Sequence, residues 1–218
     1  MKTLFRSVSA LLCLLSLLGL LNACGVIAVG AVAGSASVLA DRRTAAAQAT
    51  DIGIQLEAGA QLSNKFGKDA HINVTSFNQQ VLLTGEVKTA EMKSQAEADV
   101  KQLKNVRTVF NELTIGPISS YTARANDAYL TSKIKTEMIF TNNLPSNSMV
   151  IVTEGTNVYM LGILTAAEAA SAKKIASSTN GVKAVYTFFD LISEADKERI
   201  DQANKNSAAA ATKPAPQN

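Results

Sequence analysis

Chemistry at neutral pH needs a poised acid, base, nucleophile or metal ligand set, and this 218-residue sequence is sparing with the residues that supply them. It has one histidine, His71, two cysteines, Cys13 and Cys24, and no tryptophan. A histidine–cysteine metal cluster cannot be assembled from so few ligands, nor can a disulfide framework. His71 stands between Ala70 and Ile72 at the start of a strand-like run, where a structural or solvent-facing role fits better than a catalytic one. Neither a Gly-x-Ser-x-Gly elbow nor a Gly-Lys-Ser/Thr phosphate loop occurs. Ser132 and Lys133 are sequence neighbours, so on a helix they point to different faces and form no dyad. The carboxylates are scattered, with no apolar-flanked pair to hold two acidities apart. These residues predict a protein that is not an enzyme and that uses no cofactor and no metal.

Cys24 is the residue with chemistry of its own. Lys2 and Arg6 precede a leucine-rich run over 8–21, which closes in Leu21-Asn22-Ala23-Cys24. This resembles the bacterial lipobox, which implies removal of residues 1–23 as a signal peptide and acylation of the Cys24 thiol. Gly25 rather than Asp follows the cysteine, which by resemblance to bacterial sorting implies the inner leaflet of the outer membrane, facing the periplasm. An uncleaved transmembrane anchor is the alternative, because 7–40 carries no charge and is long enough to span a bilayer. The Gly/Ala/Ser-rich stretch 25–40 suits a tether better than a span. Loss of Lys2 and Arg6 reduces 21 basic residues to 19 against 18 acidic ones. That near-neutral balance, without a basic stripe interleaved with aromatics, argues against a nucleic-acid partner.

A third candidate is a surface. Over 127–140, Leu130, Ile134 and Met138 recur every fourth residue as a core stripe. At 100° per residue, Tyr129, Lys133, Thr136 and Phe140 fall on the opposite side. Two aromatics with a lysine between them suit an anionic bilayer interface, where rings sit at headgroup level and the ammonium meets phosphate. The competing arrangement packs Tyr129 on a neighbouring domain and tucks Phe140 into the loop 141–148.

The elements that must position these residues come from an internal repeat. Residues 72–87 and 149–164 align at a shift of 77, bringing Val74 to Ile151, Val81 to Val158, Leu83 to Met160 and Gly85 to Gly162. Each copy continues into a helical segment, 89–104 and 165–179, and closes on a branched apolar strand, 105–109 and 181–185. Each is preceded by a helix beginning at an aspartate, Asp51 or Asp127, a residue suited to the first turn. In the first of these helices Ile54, Ala58 and Leu62 take the core places, while Gly53, Glu57, Ala60 and Asn64 match Tyr129, Lys133, Thr136 and Phe140. The order helix, strand, strand, helix, strand predicts an α+β fold. Each unit is expected to be a three-stranded mixed sheet with two helices on one face. The expected segments are signal 1–23, tether 24–50, first unit 51–116, linker 117–125, second unit 126–193 and a charged helical extension with a disordered tail over 194–218. The Asp41-Arg42-Arg43 turn could touch headgroups.

The pattern V-x-V/T…V-x-L-x-G-x-V, a helix, then G/N-V-x-x-V resembles the BON domain. Two copies behind a lipobox resemble the dual-BON outer-membrane lipoproteins. The resemblance implies a periplasm-facing protein that supports outer-membrane integrity and contacts anionic phospholipid through the first helix of its second domain, the helix that bears Tyr129. The alternative is an adaptor for an envelope protein such as the outer-membrane barrel assembly machine. A hydrolase or its activator is disfavoured by the missing constellation.

Overall fold

The computed structural model describes residues 41–211. The signal segment, Cys24, the tether as far as residue 40, and residues 212–218 lie outside the described residues. The first repeat runs α1 (Ala45–Phe66), β1 (Ala70–Phe77), β2 (Gln80–Val87), α2 (Ala90–Lys101), β3 (Thr108–Asn111) and β4 (Thr114–Ile115). The second runs α3 (Tyr121–Ile139), β5 (Met149–Glu154), β6 (Asn157–Thr165), α4 (Ala166–Ser178) and β7 (Ala184–Ile192), and α5 (Glu194–Ala211) follows. β1 pairs antiparallel with β2 and β3 runs parallel to it, and β5, β6 and β7 repeat this pattern. The α+β fold with mixed sheets is therefore as expected. In the first repeat the third strand is interrupted after Asn111 and resumes as the short β4, still parallel to β2.

Hydroxyl caps start the helices. Thr44, Thr89 and Ser120 accept from the backbone N–H three residues on, and Thr165 forms a capping box with Glu168. Asp51 and Asp127 therefore do not begin their helices, which start six residues earlier. Both are buried within them instead. The Asp51 carboxylate accepts from the backbone N–H groups of Asn78 and Gln79, both at 2.7 Å, and from the Ser76 hydroxyl at 2.9 Å. Asp127 accepts from the N–H groups of Gly155 at 2.9 Å and Thr156 at 2.8 Å. These are the two-residue hairpin turns, and all four residues have positive φ, between 51° and 64°. For Gln79 and Thr156 that conformation is costly, and a charged acceptor on both amides offsets it.

Gly85 and Gly162 align for a steric reason. A Cβ on Gly85 would lie 1.9 Å from the His71 carbonyl oxygen, and one on Gly162 would lie 2.9 Å from that of Ser148. At neither position does a side chain fit against the backbone of the chain that pairs alongside.

Each sheet buries one face under its own helices. Ile54, Ala58 and Leu62 meet Val81, Leu83 and Val87 in the first repeat. Ile134 and Met138 meet Ile151, Val158, Met160 and Leu164 in the second. The other faces pack on each other, with Phe77 and Leu82 against Tyr159, Leu161 and Ile163. Phe110 and Phe188 stack with ring centroids 4.1 Å apart. Asp190 takes hydrogen bonds from Asn78, Gln80 and Arg107 across the seam. The repeats thus form two sheets face to face, with the α1–α4 helices outside.

Arg42 and Arg43 do not face headgroups. Arg42 is 6% exposed; it forks onto both Glu168 oxygens at 2.7 and 2.9 Å, donates to the Ile163 carbonyl and reaches Asp201 of α5. Arg43 donates to Asp51 at 2.8 Å and lies 3.9 Å over the Phe77 ring. Adjacent arginines therefore hold opposite repeats, and α5 is docked along one face by Asp201 and Asn204 rather than simply exposed.

Two outcomes follow. Asp127→Ala leaves the Gly155 and Thr156 amides without their acceptor and lowers unfolding free energy by about 3 kcal/mol in urea titration; Asp127→Asn, which keeps one acceptor oxygen, costs less. Burial would raise the Glu168 pKa, but bonds from Arg42 and the Thr165 N–H, with the charge of Arg42, outweigh it and hold the carboxyl below its usual range. A lowered folded value adds stability above the unfolded carboxylate value of about 4.3, and that stability is lost as pH falls through the folded value. Glu168→Gln flattens this acid limb and, by stranding a buried guanidinium, costs about 3 kcal/mol at neutral pH.

Candidate functional site

The core stripe and the outer face of α3 separate as the sequence predicts. Leu130, Ile134 and Met138 are buried, while Tyr129 is 63% and Phe140 82% exposed. Tyr129 does not pack on the first repeat and Phe140 does not tuck into the following loop. Lys133 and Thr136 are exposed between them, and Lys133 has no ion-pair partner among the described residues. Thr136 is less available than its position suggests. Its hydroxyl donates to the Ser132 carbonyl at 2.8 Å, so it offers a headgroup only an acceptor and a methyl.

The face is larger than the four residues named from sequence. Tyr121 is 86% and Ile139 63% exposed, and each falls roughly 80° from Tyr129 at 100° per residue. Arg124 lies 4.5 Å over the Tyr121 ring. Tyr121 was hidden because 117–125 reads as linker; Ser120 caps the helix two turns earlier than Asp127 suggests. Beside Ile139, a cleft of about 290 Å³ is lined by Lys135, Met138 and Met149. Among the described residues, no helix is long and apolar enough to cross a membrane.

The matching face of α1 differs. Gly53, Glu57, Ala60 and Asn64 are exposed and carry no ring. Ile52 and Leu56, 61% and 69% exposed, form an aliphatic pair on its flank that the alignment of the two faces did not bring out.

A second constellation lies on the seam. His71 Nδ1 is 3.1 Å from Glu86 Oε2, and Glu154 reaches the same place from the second repeat. Asn73 donates to Glu154 at 2.9 Å and Ser119 to Glu86 at 3.2 Å. Burial pushes the Glu154 carboxyl above its usual range, the Asn73 bond works against this, and the Glu86 charge adds to the rise. The sequence shows no such cluster because its ligands are two carboxylates and one histidine spread over 71–154. Only β-pairing and the packing of the two repeats bring them together.

The profile of the BON domain matches this chain twice, over residues 45–117 and 126–192. The outer membrane lipoprotein DolP of Haemophilus influenzae is 31% identical over 79% of this chain and 90% of its own length. A 21 kDa hemolysin of Actinobacillus pleuropneumoniae is 26% identical over 70% of this chain and 79% of its own. Among solved structures, CdsD, a structural protein of the type III secretion system of Chlamydia trachomatis, is 11% identical. It aligns over 67% of this chain and 96% of its own with a TM-score of 0.29. The double match and the similarity to DolP place the chain in the BON domain family, as a DolP-type protein with two BON domains.

Proposed function

We propose that this protein is a non-enzymatic lipoprotein of the outer membrane. In this reading Cys24 carries the lipid anchor after removal of residues 1–23, and the two BON domains face the periplasm. There α3 binds anionic phospholipid and the protein supports membrane integrity. The similarity to an outer membrane lipoprotein supports the location. The observation that carries the binding mode is the outer face of α3, where Tyr129 and Phe140 stand exposed around Lys133, which has no ion-pair partner among the described residues. The amphipathic tyrosine ring favours the headgroup region, the phenylalanine ring suits the apolar side of an interfacial helix, and each cation near an anionic surface contributes about 1 kcal/mol. A lipid on Cys24 keeps α3 close to the leaflet, so a weak surface contact suffices. The extended reach of 25–40 is at most about 55 Å.

An adaptor that binds an envelope protein, such as the barrel assembly machine, is a second reading, and the exposed Ile52–Leu56 pair of α1 favours it. Photo-crosslinking in cells from position 129 and from position 56 separates the two. Lipid adducts at 129 support the first reading. A single protein adduct at 56, with no lipid at 129, supports the second.

Tyr129→Glu is expected to weaken binding to phosphatidylglycerol or cardiolipin vesicles by roughly tenfold to a hundredfold, measured by co-sedimentation. Its unfolding free energy stays within about 0.5 kcal/mol of the parent, because the side chain is exposed. Unchanged vesicle binding by this variant overturns the reading. Lys133→Gln weakens binding less, and the loss shrinks as salt is added.

A further inference from the structure

The seam constellation has the make-up of a metal site. Antiparallel pairing sets His71 directly opposite Glu86, and Glu154 ends β5 beside them, so that one ligating atom from each lies within 4.8 Å of the others. Glu86 is 9% and Glu154 7% exposed, and among the described residues no lysine or arginine forms an ion pair with either. Two buried carboxylates this close repel unless one takes up a proton or a positive charge lies between them.

Three further features point to a ligand. Asn73 and Ser119 each hold one oxygen, Oε2, of Glu154 and Glu86, the kind of outer support that orients metal-binding carboxylates. Oε1 of each carboxylate makes no hydrogen bond among the described residues. A cavity of about 470 Å³, lined in part by His71, Asn73 and Glu154, gives an ion a path from solvent.

We propose that His71, Glu86 and Glu154 form a divalent-cation site of the zinc class that bridges the two BON domains. An imidazole with two carboxylates suits zinc and its first-row neighbours, whereas calcium and magnesium take all-oxygen shells. Because the ligands come from both domains, the ion would fasten the seam rather than activate a substrate.

The test uses the full chain in detergent, stripped with chelator and titrated with Zn²⁺ at neutral pH by calorimetry and thermal unfolding. The expected result is one saturable site per chain and a rise in Tm. Zn²⁺ affinity falls by roughly tenfold or more in His71→Ala and in Glu154→Gln. Without metal, Glu154→Gln melts no lower than the parent, since it removes an uncompensated buried charge. This shows that its loss of binding is not unfolding. Three results overturn the site: no saturable Zn²⁺ binding, equal Zn²⁺ affinity in His71→Ala, or a rise in Tm with Ca²⁺ as large as with Zn²⁺.

Discussion

One carboxylate per domain, on the first helix and aimed at a hairpin turn, governs the rest of the architecture. Asp51 and Asp127 each take both amides of a turn whose backbone is left-handed. The bond fixes where the hairpin reverses, and hence the register of the central strand. A slip of one residue would turn every core side chain of that strand to the other face. The same bond fixes the rotation of the helix over the sheet. With Asp127 pinned inward, Leu130, Ile134 and Met138 must follow it into the core, and Tyr129 must face out. The outward chemistry of α3 is thus a consequence of an inward constraint.

The duplication explains how two small domains reach stability. All eight residues of β2 are buried, as are eight of the nine of β6, because each sheet is covered by helices on one side and by its twin on the other. A three-stranded sheet with a solvated face would lose that second layer of burial. The copies keep their inner faces alike and let their outer helices diverge, aliphatic on α1 and aromatic with cations on α3. One scaffold thereby presents two unlike surfaces.

The repeat, the helix stripes and the paired glycines were legible because each rests on local periodicity or on side-chain size. The turns were less so. Asn78-Gln79 and Gly155-Thr156 are not strong turn dipeptides, and their support comes from an aspartate 27 to 29 residues earlier. Apolar runs such as Val81-Leu82-Leu83 and Tyr159-Met160-Leu161 do signal a strand buried on both faces, and in that sense the seam was written in the chain. The identity of what crosses it was not. Arg42 finds Glu168 126 residues away, and His71 meets Glu154 across the domains; spacing carries no trace of such pairs. Asp51 and Asp127 misled for a physical reason: aspartate suits a first turn, and here the turn it serves belongs to a hairpin.

The diverging arginines also decide how the protein bears load. Tension arriving along the chain from its N-terminal side enters at Arg42 and Arg43. It is divided there between Glu168 in one domain and Asp51 in the other. A pull at that point stretches both attachments in parallel instead of peeling the domains apart one after the other.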